Sequence, residues 1–123
     1  MSFQSVPDSG AVSPERMMRE MPDTGEIQSV ADAFRQLGDS TRLRIFWVLC
    51  HLEASVSGLA ELVGMTSPAV SHHLRLLKNA GLVESTRSGK EMLYRAADTE
   101  LARVLHHTVE RLAAITCPEE EAR

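Results

Sequence analysis

The stretch "SPAVSHHLRLLKNAGLV", Ser67 to Val83, decides how the rest of the chain is read. Its apolar residues Val70, Leu74 and Leu77 stand at i, i+4 and i+7, the stripe of one helix face, which therefore turns inward. Ser67, Ser71, His72, Arg75 and Lys78 run along the opposite side, with no carboxylate and no apolar residue among them. A polar, basic face free of acids suits phosphates and base edges. Neighbouring helical residues diverge by roughly 100°, so His72 and His73 do not close on one metal ion. His73 lies next to the Val70/Leu77 face and packs, whereas His72 follows Ser71 and Arg75.

Upstream, "GLAELV" ends at Gly64, with Ser57 as its expected cap, and Ser67 with Pro68 at the first helical position opens the next helix. Two short helices separated by Gly64-Met65-Thr66 make a helix-turn-helix. Downstream, "LVESTR" and "EMLYRA" alternate around Ser88-Gly89, a β-hairpin with Arg87 and Lys90 at its tip. The fold class expected is mainly α with a small β-hairpin wing, a winged helix-turn-helix.

Further out, Ile27, Val30, Ala31, Phe34 and Leu37 form an amphipathic helix stopped by Gly38. Asp39-Ser40-Thr41 offers caps for "TRLRIFWVLCHL", which is apolar nearly all round and so central. "ASV" at 54–56 reads as a short strand. A last helix from Asp98 to about Thr116 carries Leu101, Leu105, Thr108, Leu112 and Ile115 on one stripe. Such a seam needs a partner, and a second copy is the simplest, giving a homodimer joined through its terminal helices. The expected organisation is a flexible arm over 1–26 with a short helix starting at Ser13-Pro14, a DNA-binding and dimerisation domain over 27–117, and an acidic tail over 118–123.

At 123 residues and 43% hydrophobic content, the chain forms one domain with a modest core. Its net charge of −4 is unevenly spread. Residues 1–26 carry 2 basic and 5 acidic groups, 27–66 carry 3 and 4, 67–95 carry 5 and 2, and 96–123 carry 3 and 6. Only the segment around the helix-turn-helix and wing is basic, a local footprint for phosphates on an acidic molecule. No apolar run is long enough to span a membrane, and the start lacks a signal-peptide pattern, so a cytoplasmic location is expected. Two cysteines, Cys50 and Cys117, are too few for a disulfide framework. No P-loop, Rossmann glycine set, His-Glu-x-x-His or nucleophile elbow is present, and no enzyme is expected.

The order "GDSTRLRIFWVL", "LAELVGMTSPAVSHHLRLLKNAGLV", "GKEMLYRA" and "DTE" closely resembles the ArsR/SmtB family of dimeric winged-helix repressors over roughly residues 27–115. Members repress operators next to genes for metal, metalloid or sulfur handling and release DNA when an inducer binds or oxidises them. The resemblance implies that Ser67, Pro68, Ser71 and His72 face the major groove of double-stranded operator DNA, with Arg87 and Lys90 of the wing reaching a minor groove or its phosphates.

The family's inducer sites are altered in this chain. Where the family pattern has thiols after the second helix, the chain has "SVSG", with Ser55 and Ser57. Hydroxyls do not replace thiolates for soft ions. Of the terminal-helix ligands, Asp98 is kept, but the next position is Glu100 and the later pair reads Arg111 and Ala114. One turn earlier, His107 and Glu110 share an edge, and with Glu100 they make a nitrogen–oxygen site suited to Zn(II), Ni(II) or Co(II). Some members of the family sense persulfide or oxidant through one thiol on the second helix and one on the terminal helix, which implies a redox pair of Cys50 and Cys117 here. A third reading is a winged helix that binds only protein, which predicts exposed apolar residues in place of Ser71, Arg75 and Lys78.

Overall fold

The computed structural model describes residues 12–114. Among them the elements run α1 (Pro14–Arg19), α2 (Thr24–Gln36), α3 (Ser40–Leu49), α4 (Val56–Val63), α5 (Ser67–Asn79), β1 (Val83–Ser88), β2 (Glu91–Ala96) and α6 (Glu100–Ala113). This is the expected winged helix-turn-helix: helices α4 and α5 in tandem, followed by an antiparallel hairpin. Cys117, Ile115, Thr116 and the acidic tail lie outside the described residues.

Helix α3 is the centre of the core. Asp39 caps it by accepting the Arg42 amide at 2.9 Å, and Ile45, Phe46 and Leu49 are buried on its inner side. Around it pack Leu59, Ala60 and Val63 of α4, the Val70/Leu74/Leu77 stripe of α5, and Leu82 with Val83 at the entry to the wing. At about 25 cal/mol per Å² of apolar surface, each large aliphatic side chain buried here contributes about 1.5–3 kcal/mol. The turn between α4 and α5 depends on Gly64, whose φ of 69° is the left-handed conformation that side chains resist.

Several boundaries differ from the sequence expectation, each for a local reason. Helix α2 begins at Thr24 rather than Ile27, because Asp23 caps it through the Gly25 amide at 3.0 Å. Ser55, not Ser57, caps α4 by accepting from the Gly58 amide at 3.1 Å, so Val56 is helical. Of the "ASV" segment, Ala54 alone pairs as a strand, exchanging bonds of 3.0 and 2.8 Å with Tyr94. Thr66 replaces Ser67 as the cap of α5, leaving the Ser67 side chain exposed on the first turn. Helix α1 begins after Ser13, whose hydroxyl accepts the Arg16 amide at 3.2 Å.

The wing registers Val83 opposite Ala96 and Ser88 opposite Glu91, with Gly89 at φ 63° in its tip. Its base is fixed to the core by the Ala54–Tyr94 exchange and by Ala97 N–H donating to the Leu82 carbonyl at 2.9 Å. Arg95 also bridges Glu84 and Glu53 across this edge, at 2.8 and 3.3 Å.

The seam of α6 divides in two. Ala102 and Leu105 are buried in the core of their own chain, which corrects the expectation that the whole stripe needs a partner. What stays uncovered is Val104 and Leu112, the latter 84% exposed, together with Ile27, Val30 and Phe34 on α2, where Phe34 is 59% exposed. Helix α6 ends at Ala113, where Ala114 turns left-handed with φ 54°.

Candidate functional site

Helix α5 presents Ser67, Pro68, Ser71, His72, Arg75 and Lys78 to solvent, all exposed, while Val70, Leu74 and Leu77 hold its opposite side in the core. The Pro68 ring sits in the first turn, where its missing N–H removes no helical hydrogen bond. Thr66 accepts the Ala69 amide at 3.3 Å and so fixes the start of the helix. At the other end, Lys78 Nζ donates to Ser85 Oγ at 2.8 Å, linking α5 to the first wing strand. Arg87 and Lys90 are exposed near the wing tip, where Arg87 also reaches the Met92 sulfur at 3.7 Å. The α5 residues are thus exposed hydroxyl, imidazole and cationic groups, joined to the first wing strand through Lys78 and Ser85.

His73 is half-buried behind this surface and its Nδ1 is buried without a hydrogen-bond partner. Burial pushes its pKa down, against the opposing pull of Asp39, while Arg42 adds to the lowering. Neutral His73 therefore serves as packing, and His72 stands with the polar stripe.

A second cluster of polar side chains lies where the C-terminal end of α3 meets α6. His51 follows the C-terminus of α3, and its Nε2 lies 3.1 Å from His106 Nε2 and 3.2 Å from Glu110 Oε2. His106 Nε2 is 3.1 Å from the same carboxylate oxygen, and Trp47 donates its indole N–H to that oxygen at 3.0 Å. The side chains of His51, Glu110 and His106 are 7%, 12% and 17% exposed. Desolvation raises the Glu110 pKa, but the Trp47 and His106 hydrogen bonds and the His106 charge outweigh it and hold the carboxyl below its ordinary value.

Two imidazole nitrogens and a carboxylate oxygen are a donor set for a borderline divalent metal. Tetrahedral Zn(II) with bonds of about 2.0–2.1 Å puts its donor atoms roughly 3.3–3.4 Å apart, close to the spacing found between these three atoms. His106 also borders an open cleft of ≈ 560 Å³ lined by Cys50, Glu53, Asp98 and Arg103.

The sequence-derived terminal-helix set is not assembled around one point. Asp98 pairs with Arg103 at 2.8 Å, and Glu100 and His107 are exposed. Of that set Glu110 alone enters the cluster, and it does so with His106, four residues before it, instead of His107. His51 and Trp47 were not singled out by sequence. The usable signal was the i, i+4 spacing of His106 and Glu110, which places both on one face of α6, with Trp47 and His51 four residues apart at the end of α3 and in the turn after it. Cys50 is half-buried beside the cleft, while its candidate partner Cys117 lies outside the described residues.

A family model described as "bacterial regulatory protein, arsR family" matches residues 39–85, from the cap of α3 into the wing. The HTH-type transcriptional regulator KmtR of Mycobacterium tuberculosis is 43% identical over 75 residues, 61% of this chain and 57% of that protein, so the chain spans little more than half of that relative. NmtR of the same organism, also an HTH-type transcriptional regulator, is 37% identical over 87 residues, 71% of this chain and 72% of its own length. The homodimeric winged helix-turn-helix DNA-binding domain Mb0332 of Mycobacterium bovis, solved in solution, superposes with a TM-score of 0.67 at 31% identity, covering 85% of this chain and 90% of that one. With the fold, the α5 surface and these likenesses in agreement, the chain belongs to the ArsR/SmtB family of bacterial winged helix-turn-helix regulatory proteins.

Proposed function

We propose that this chain is a cytoplasmic transcriptional repressor that binds double-stranded operator DNA as a homodimer and is released by an inducer, a divalent metal ion of the Zn(II), Ni(II) or Co(II) class. The observation that carries the reading is the exposed, acid-free stripe Ser67, Ser71, His72, Arg75 and Lys78 on α5, with Arg87 and Lys90 exposed near the tip of the wing that follows it. In this arrangement Ser67, Pro68, Ser71 and His72 face base edges in the major groove, Arg75 and Lys78 neutralise phosphates, and the wing reaches the neighbouring groove. A winged helix reserved for protein partners would expose apolar residues at those positions.

Homodimerisation is supported by the uncovered apolar residues of α2 and α6 and by the homodimeric state of the solved Mycobacterium bovis relative. No helix among the described residues is long and apolar enough to cross a membrane. The test is selection from a pool of randomised duplexes with the metal-free protein. The expected consensus is two-fold symmetric, with half-sites about one helical turn, roughly 10–10.5 bp, or a multiple of it apart. Failure to enrich any symmetric sequence would refute the repressor reading.

A further inference from the structure

We propose that His51, His106 and Glu110 of a single protomer form a transition-metal site that ties the end of α3 to the terminal helix α6. The proposal deepens the repressor reading by giving its inducer a place within one chain. It rests first on a convergence: three donor atoms, one from the turn that follows α3 and two from α6, each within 3.2 Å of the other two, in side chains largely withdrawn from solvent.

Proton counting favours a cation at the centre. A protonated imidazole Nε2 has no lone pair left to accept with, and a carboxylate can only accept. If both Nε2 atoms carry hydrogens, they satisfy Glu110 but face one another as two donors at 3.1 Å. If only one does, the other imidazole opposes the carboxylate as a second acceptor at 3.1 or 3.2 Å. Hydrogen bonds among these atoms therefore leave one of the three edges unfavourable, whereas a divalent cation meets all three lone pairs at once. Trp47 completes the arrangement by donating its indole N–H to the coordinating oxygen, which orients the carboxylate. Water from the cleft bordered by His106 can complete a tetrahedron.

Because α6 also carries the exposed Val104 and Leu112, a metal here fixes the angle at which the dimerising surface leaves the core. The ligands come from one protomer, so the site loads before or without dimer formation.

The test uses the full chain stripped of metal with a chelator and titrated with Zn(II) alone, followed through Trp47, the sole tryptophan. A saturating fluorescence change at one equivalent per chain is expected, and Co(II) should give the intense visible bands of four-coordinate cobalt. His106→Ala and Glu110→Gln should each weaken Zn(II) binding by more than roughly ten-fold, the scale at which even loss of a group that only hydrogen-bonds to a ligand registers. His107→Ala, on the exposed side of the same helix, should leave the titration unchanged. His51→Asn, in the turn after α3 and outside α6, repeats the test if an α6 variant unfolds by circular dichroism. No Zn(II) uptake by the wild type, or uptake lost in His107→Ala and kept in His106→Ala, would overturn the site. Metal-free DNA binding measured on the same samples separates the two readings: zinc bound without DNA binding sinks the repressor and leaves the site standing.

Discussion

The Nε2 atoms of His51 and His106 lie 3.1 Å apart, although 55 residues separate them in the chain. They meet because α6 returns across the C-terminal end of α3 after the wing, with Ala102 and Leu105 anchoring it to the core. Glu110 is the acceptor that holds this meeting together, since it receives the Trp47 indole N–H and contacts both imidazoles. In metal-free protein, Glu110→Ala leaves these half-buried donors without their acceptor. It should lower the unfolding free energy by about 1–3 kcal/mol, read by urea denaturation at neutral pH. An unchanged denaturation midpoint would mean that the cluster adds nothing to the packing of α6.

The proposed DNA surface predicts a salt signature. Each phosphate neutralised contributes about −0.9 to the slope of log K against log salt, and every substitution in a homodimer is made twice. Arg75→Ala and Lys90→Ala should therefore each weaken operator binding and flatten that slope by about 1.8, measured by fluorescence anisotropy across a salt series. Retention of the wild-type slope in both variants would remove these residues from the interface.

Dimerisation and core packing separate on α6. Leu112→Glu, at an 84% exposed position, should yield a folded monomer in sedimentation experiments and lose operator binding without touching the α5 surface. Leu105→Ala sits in the core instead and should cost about 2–5 kcal/mol of unfolding free energy in the monomer itself. If Leu112→Glu remains dimeric, the exposed end of α6 is not the contact.

His73 supplies a pH dependence. Burial lowers its folded pKa below the ordinary value of 6.5, so the folded state disfavours the charged form. The unfolded chain then binds more protons between the lowered value and 6.5. Stability is fully present above 6.5 and declines as pH falls through that window. His73→Gln, which cannot titrate, should gain on the wild type as pH is lowered from 7 towards 5. The comparison is made by thermal unfolding of both proteins, and a constant difference between them would show that His73 is not the group responsible.

What the sequence by itself determined is everything set within a few turns of helix or strand. The Val70/Leu74/Leu77 stripe, Gly64 in the turn, the Asp39 cap and the alternation around Ser88-Gly89 are local signals. They specified a helix-turn-helix with a wing and the exposed basic face of α5. Cap positions slipped where two candidates stood close together, as with Ser55 against Ser57 and Thr66 against Ser67, because the phase of a helix start is set by its packing as much as by the capping hydroxyl.

Only the tertiary structure decided which polar residues converge. On sequence spacing His107 and Glu110 share an edge as readily as His106 and Glu110 do. Rotation of α6 is fixed by burying Ala102 and Leu105, and that rotation turns His106 toward His51 and leaves His107 in solvent. The same rotation buries part of the apolar seam within the chain and leaves Val104 and Leu112 outside. A helical stripe records that a face is apolar, but which surface covers it depends on the angle at which the helix meets the core, and that angle is a property of the whole packed chain.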